Sequence, residues 1–318
     1  MSREQWLLER RKAIGGSDAA AVIGLNEYVT PYAVWADKTG RIPISDSGSE
    51  ATRLGYELEP YVASRFEEKT GKKVKKVNAI IKNPKYPFAS ANIDREVVGE
   101  DAGLEIKTTS VLNMKKFKDG EFPEKFYCQC CHYMAITERK RWYLAVLILN
   151  KDFLVYQLTR VPDDTVPDWC VSSVYVSDEE IAALMDAERK FWELVETDTP
   201  PDLTGRSGDT EALNAVYPVT DGGQETIDLY GREETVSRYL SLKQQIKALQ
   251  ESLDQCEQEL KEDLGEHEQG QAGPYMVSWK PQIRRSFDSK KFAKDNPELD
   301  LSGYYKESSF RKFEIRSI

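Results

Sequence analysis

The sequence predicts a mixed α/β domain over residues 1–200, a linker over 201–223, and a helical and β appendage over 224–318. Three observations predict it. Helical and strand patterns alternate through the first part of the chain. A Pro/Gly/Ser-rich stretch then begins at Asp198-Thr-Pro-Pro-Asp202. Beyond it Tyr239, Leu242, Ile246, Leu249, Leu253, Cys256 and Leu260 recur at alternating spacings of three and four. That is a heptad seam suited to a helical hairpin or a short coiled coil.

The elements follow from local signals. Gly16-Ser17-Asp18 precedes AAAVIGLN, so Ser17 or Asp18 can cap a short helix. Thr30-Pro31 opens a second helix, with Pro at its favoured first position and Gly40 just past its end. In ELEPYVASRFEEKTG, Leu58, Val62 and Phe66 form one apolar stripe and Gly71 ends the helix. KKVNAII, FASANIDREVV and GLEIKTTS read as strands, the last two joined as a hairpin by Gly99-Glu-Asp-Ala-Gly103. A helix from about Glu124 to Thr137, the strands RWYLAVLILN and DFLVYQLTR, and the helix SDEEIAALMDAERKFWELVET complete the domain. In the appendage YMVSWKPQIRRSF and RKFEIRSI are strand-like and are expected to pair.

Composition narrows the class. No apolar run approaches the ~20 residues needed to cross a bilayer, and MSREQWLLERRKAIGG is charged throughout, without the apolar core of an export signal. A cytoplasmic protein is expected, and five cysteines without framework spacing suit that reducing compartment. The net charge of −10 argues against non-specific DNA binding by the body of the protein. It leaves room for a locally positive groove, because lysine and arginine clusters are present.

The chemistry is concentrated in Ala91-Asn-Ile-Asp94 and Leu104-Glu105-Ile106-Lys107. On a strand Glu105 and Lys107 share a face while Leu104 and Ile106 take the other, and the hairpin returns the Asp94 strand alongside. Two acids can hold Mg²⁺ through hard oxygen ligands. A lysine beside them can neutralise charge on a phosphate in the transition state. ExK alternation also covers ordinary wet strands, so further residues decide. Glu59 can add a third acid from the preceding helix, or simply favour that helix's first turn. Gln129 shares a helical face with Tyr133 and Ile136 and can hold water or a phosphate oxygen, or lie on the surface. Arg10 and Arg11 before Gly15-Gly16-Ser17 suit phosphate binding, or mark a tight turn.

The blocks RRKAIGGSDAAAVIG, LGYELEPYVASRFEEKTG, ASANIDREVVGEDAGLEIKTTS and FYCQCCHYMAIT occur in an order that resembles the YqaJ-type viral recombinase family. These are relatives of phage lambda exonuclease in the PD-(D/E)xK nuclease superfamily. The resemblance spans about residues 10 to 140 and implies a restriction-endonuclease-like core, a mixed central sheet flanked by helices. It implies that Asp94 and Glu105 bind metal, with the Ile106 carbonyl and Glu59 beside them. Lys107 becomes the catalytic lysine, and Gln129 the amide of the following helix. Arg10 and Ser17 become the pair that receives a 5′-phosphate, with Arg11 competing for the arginine's place. Ile93 stands where the motif's namesake has Pro. The implied activity is 5′-to-3′ hydrolysis of double-stranded DNA from its ends, dependent on Mg²⁺ or Mn²⁺, with two ions per site. It leaves 3′ tails for a single-strand annealing protein. A ring-like homo-oligomer, such as a trimer, is also implied. The alternatives are an endonuclease acting on branched or specific sites, and a non-catalytic DNA-binding scaffold.

One motif falls outside this reading. Cys128-Gln-Cys-Cys131-His132 satisfies the CxxCH pattern of haem attachment, and on a helix Cys128, Cys131 and His132 fall within about 100° of arc. A fourth ligand is not evident, and no cysteine precedes Cys128 to complete an iron–sulfur site. The expectation is that small, soft thiols pack a helix against the sheet.

Overall fold

Unbroken apolar character in RWYLAVLI marks a strand buried on both faces, and the first unit is built around it. The computed structural model describes residues 3–44, 49–162, 164–218, 226–306 and 311–316. It divides into two units, Met1–Pro218 and Val219–Ile318. The first unit opens with α1 (Arg3–Arg11), β1 (Ile14–Gly15), α2 (Gly16–Val22), α3 (Pro31–Lys38) and α4 (Glu50–Thr70). Strands β2 (Val74–Lys76), β3 (Ile81–Lys82), β4 (Ala89–Ala91), β5 (Arg95–Val97) and β6 (Ala102–Thr109) follow. After a 3-10 segment, Val111–Gly120, come α5 (Glu124–Thr137), β7 (Arg141–Ile148), β8 (Asp152–Thr159) and β9 (Ser173–Tyr175). Helices α6 (Asp178–Glu196) and α7 (Ser207–Val216) end the unit.

The main sheet has strand order β2-β5-β6-β7-β8-β9 and is mixed: β6–β7 and β8–β9 are parallel, the other pairs antiparallel. Period-two alternation sorts β7 between two cores. Trp142, Leu144, Val146 and Ile148 pack with Cys130, Cys131, Tyr133 and Met134 of α5. Tyr143 and Ala145 pack with Val62, Ala63 and Phe66 of α4. Helices therefore flank the sheet on both faces, as the expected core requires. Gly103 is needed on the α5 face, because a Cβ there would lie 2.3 Å from the Trp142 ring. Ser49 caps α4 through a 3.2 Å bond from Thr52 N, and Gly71 ends it at φ +72°.

Two expected strands are each divided. KKVNAII becomes β2 and β3, and FASANIDREVV becomes β4 and β5. In both, the first or last few residues leave the main sheet for a small one of order β1-β4-β3. The chain crosses between sheets at Asn92-Ile93-Asp94, which sets the first acid at a sheet edge.

The expected linker 201–223 is corrected over most of its length. Residues up to Pro218 belong to the first unit, and 219–223 lie outside the described residues. Its small residues serve as close-contact points for α7. A Cβ on Gly208 would sit 2.5 Å from the Tyr28 carbonyl oxygen, buried Asp209 accepts from Thr204 N and Gly205 N, and Arg206 donates to Gly24 O at 2.9 Å.

In the second unit the expected helical hairpin is instead one continuous helix, α8 (Glu233–Leu264). Nothing in the seam supplies a helix breaker before Gly265. Next come β10 (Gln269–Ala272), β11 (Tyr275–Ser278), α9 (Ser289–Asp295) and a 3-10 turn, Ser302–Tyr304. YMVS pairs with QGQA across Gly273, at φ +58°, rather than with RKFEIRSI. A tight turn joins neighbours at little entropic cost, whereas the distant pairing has a long loop to close. Residues 311–316 form no strand, and 317–318 lie outside the described residues. Among the described residues no helix is long and apolar enough to cross a membrane.

Candidate active site

The β5–β6 hairpin is antiparallel, with Arg95 opposite Leu104 and Glu96 opposite Gly103. The same register continued by one residue sets Asp94 against Glu105. Asp94 Oδ2 accepts a 2.8 Å hydrogen bond from Ile106 N, which fixes the carboxylate across the edge of β6. Glu105 is buried at 2% exposure, and Lys107 Nζ lies 2.5 Å from its Oε1. Gln129 Nε2 donates to the same oxygen at 2.8 Å and to Tyr133 Oη at 2.9 Å. The residue read as a possible surface amide is thus buried and tied to the ExK glutamate. Tyr133 owes its place to Gly16, where a Cβ would stand 2.5 Å from the tyrosine ring.

One cavity of roughly 320 Å³ is lined by Arg10, Ser17, Glu59, Asp94, Glu105, Ile106, Lys107 and Gln129, so all eight residues singled out in the sequence face one space. An adjoining cavity of roughly 830 Å³ shares Trp6, Tyr56, Glu59, Asn92 and Asp94 and adds Lys76 and Lys82.

Burial and the neighbouring Glu105 charge hold the Asp94 carboxyl well above the usual carboxylate range. Burial works against the Lys107 ammonium, yet Glu105 and Asp94 outweigh it and raise that group above its ordinary range. Glu105 Oε2 is buried and has no hydrogen-bond partner among the described residues. Two carboxylates in mutual repulsion, one with an orphaned oxygen, form a donor set that a hard divalent cation satisfies. The residues fit such an ion.

Glu59 stands apart from that pair. Its carboxylate binds Nη1 of buried Arg95, with Lys76 Nζ at 3.8 Å. Arg95 is one residue from Asp94 and therefore points to the α4 face, where Glu59 waits. Among the described residues no three His, Cys, Asp or Glu side chains converge as a ready cation cage.

The two arginines of α1 separate cleanly. Arg10 Nη2 donates to Ser17 Oγ at 2.9 Å, and its guanidinium lies 4.8 Å from the Trp6 ring centre. Arg11 turns away, donating from Nε to Asp37 Oδ1 at 3.0 Å. The turn itself is braced by Asp18, which accepts from Gly15 N at 3.0 Å and pairs with Lys38 Nζ at 2.6 Å. Lys38 also donates to Arg10 O at 3.0 Å.

In CQCCH, all three thiols are buried in the packing of α5. Cys128 meets Ala19 and Ala20 of α2, while Cys130 and Cys131 enter the main core. Burial pushes the Cys128 thiol up to about 11 and Cys131 up to about 12. His132 is fully buried, with Nδ1 2.8 and 3.0 Å from the Glu188 carboxylate oxygens and Nε2 3.0 Å from Ser90 O. The Ser90 carbonyl accepts from Nε2, and an ionised Glu188 carboxylate accepts from Nδ1, a geometry that favours the doubly protonated ring. Burial opposes that charge, but Glu188 and Ser90 outweigh it and raise the imidazole above its ordinary range.

Sequence reasoning missed Arg95, Trp6 and the His132–Glu188 pair. Arg95 had one available signal, its place directly after a candidate ligand on a strand. The pairing of His132 with a residue 56 positions away had none.

Fold and cavity together define an α/β protein with a paired-carboxylate and lysine site at a sheet edge. The chain belongs to the family of the YqaJ-like viral recombinase domain, whose sequence model matches residues 5–140. It is 38% identical over 322 residues to "Uncharacterized protein YqaJ" of Bacillus subtilis (strain 168), spanning 100% of this chain and 95% of that protein. Among solved structures it is similar to an alkaline exonuclease (LHK-Exo) from Laribacter hongkongensis, at 19% identity and TM-score 0.48, covering 62% of this chain and 94% of that one. A phage related exonuclease from Haemophilus somnus 129PT is similar at 14% identity and TM-score 0.37, covering 58% and 96%.

Proposed function

We propose that this protein is a divalent-metal-dependent deoxyribonuclease that degrades double-stranded DNA from its ends, 5′ to 3′. It leaves 3′ single-stranded tails for an annealing partner, in the cytoplasm. The observation that carries this reading is the meeting of Asp94, Glu105 and Lys107 in one cavity with the Arg10–Ser17 pair. Membership of a viral recombinase family supports it, since annealing needs single-stranded tails.

Mg²⁺, or Mn²⁺ in its place, would be held by Asp94 and Glu105, with the Ile106 carbonyl and Glu59 at the margin. Two such ions, when bound, would supply Lewis acidity towards a phosphate and lower the pKa of a water at the site. The chain's own residues do the positioning. Ile106 N aims Asp94, and Gln129 Nε2 holds Glu105 through Oε1. Lys107 keeps a fixed positive charge where negative charge grows on the phosphate. Arg10 offers paired donors, and Ser17 a hydroxyl, to a terminal 5′-phosphate, with Trp6 backing the guanidinium. A ring of copies, three in number, would set basic residues around the duplex while an acidic exterior keeps the assembly soluble.

The test uses 5′-labelled linear duplex and closed circular duplex, incubated with Mg²⁺ and then with Ca²⁺. Release of labelled nucleotides from the linear DNA with Mg²⁺, and an intact circle, are expected. A nicked circle would assign endonuclease action, and binding without cleavage in either cation would assign a scaffold.

A further inference from the structure

Helix α8 carries 32 residues, of which only Leu264 is buried. Its heptad seam is open within the second unit: Leu242 is 45% exposed, Ile246 65%, Leu249 70% and Leu253 61%. Tyr239 meets the Phe313 ring, and Lys261 lies over the Trp279 ring, so the flanks of the seam are attended while its middle is not. From Leu242 to Leu260 the open stripe runs for about 27 Å. A helix gains most of its stability by packing such a face, and this length of apolar stripe matches another helix rather than a point contact.

Charge selects the occupant and its direction. With Ile246, Leu253 and Leu260 at a positions and Leu242, Leu249 and Cys256 at d positions, the flanking e and g positions hold Arg238, Lys243, Gln245, Gln250, Ser252, Glu257 and Glu259. The first part of the seam is basic and the last part acidic. Two copies in parallel would set Arg238 of each against Lys243 of the other, and crowd Glu257, Glu259, Glu262 and Asp263 at one end. Reversing one copy brings Lys243 to Glu257, Gln250 to Gln250 and Ser252 to Ser252, with no like-charged flanking pair. It also opposes the two helix dipoles. Glu257 already pairs with Lys261 of its own helix at 2.5 Å, an exposed contact that is readily shared.

We propose that α8 binds α8 of a second copy of this chain as an antiparallel coiled coil, with Leu242 opposite Leu260, Ile246 opposite Cys256 and Leu249 opposite Leu253. The contact is two-fold and self-complementary. It is independent of the nuclease reading and of any ring the first unit forms, and it is measured without DNA.

Cys256 makes the arrangement testable, being exposed while Cys128, Cys130 and Cys131 are buried and Cys170 is half-buried; the natural sequence and each variant are therefore also compared in a Cys170→Ser background. The experiment oxidises the full-length protein mildly with copper phenanthroline and air, and resolves it on non-reducing gels. Antiparallel pairing predicts no disulfide-linked dimer in the natural sequence. It predicts efficient dimer formation by Ile246→Cys, lost again when Cys256→Ser is added. A dimer linked through Cys256 in the natural sequence, or through residue 246 without Cys256, would mean parallel pairing and overturn the proposal. Failure of Ile246→Cys to form a dimer would overturn it too, leaving the seam to a different partner. As a second reading, Leu249→Lys with Leu253→Lys should halve the particle mass in sedimentation, and an unchanged mass counts against the contact.

Discussion

Along α5 every residue from Cys128 to Ile136 is buried, including the polar Gln129 and the titratable His132. Along α8 the seam leucines face outward and ion pairs such as Lys247–Glu251 and Lys261–Glu257 are intrahelical. The two helices have comparably unremarkable sequences, yet one has its buried polar side chains Gln129 and His132 tied to named partners and the other has an uncommitted apolar stripe. The contrast teaches where single substitutions matter. In α5 a change leaves a buried group without its partner. In α8 it alters a surface whose meaning lies in what binds it.

The largest effect is expected at His132. His132→Ala strands Glu188 in the core and should cost about 3–5 kcal/mol in chemical denaturation; a loss below about 1 kcal/mol would mean that the buried pair does not form. Its pH dependence has a definite sign. The folded value lies above the ordinary 6.5, so the pair's contribution is complete below 6.5 and fades as pH rises through the folded value. The natural protein should therefore lose more stability than His132→Gln over that alkaline rise, and parallel curves for the two would contradict it.

Next comes Lys107→Ala. Hydrolysis of linear duplex should fall by roughly 10²–10³ with the fold retained, checked by circular dichroism, although the buried Glu105 loses its ion partner. Full activity in that variant would remove the lysine from the mechanism.

Arg10→Ala should be milder, losing about 1.5–3 kcal/mol of preference for 5′-phosphorylated over 5′-hydroxyl ends. Arg11→Ala should leave that preference untouched while weakening the Asp37 contact. Equal behaviour of the two variants towards 5′ ends would erase the distinction the structure draws between them.

The smallest change is expected in α8. Leu253→Ser, at a position 61% exposed, should shift the stability of the first unit by no more than about 0.5 kcal/mol, measured by tryptophan fluorescence in a Trp279→Phe background so that the signal comes from the first unit. A large shift would show that α8 is not the uncommitted surface described above.

By itself the sequence determined what depends on neighbours along the chain. The helix Glu124–Thr137, the common face of Glu105 and Lys107, the stripe of Val62 and Phe66 and the hairpin joining β5 to β6 all follow from periodicity and turn residues. The tertiary structure decided matters that rest on which elements lie side by side. Asp94 falls where one strand leaves the small sheet for the large one, Glu59 is claimed by Arg95, and α7 is held by Gly208 against residue 28. Arg10 and Arg11 look alike as neighbours but diverge because successive residues on a helix point about 100° apart. Gln129 is the sharpest case: helical period located it, and only the packing of α5 on β6 made it the donor to Glu105.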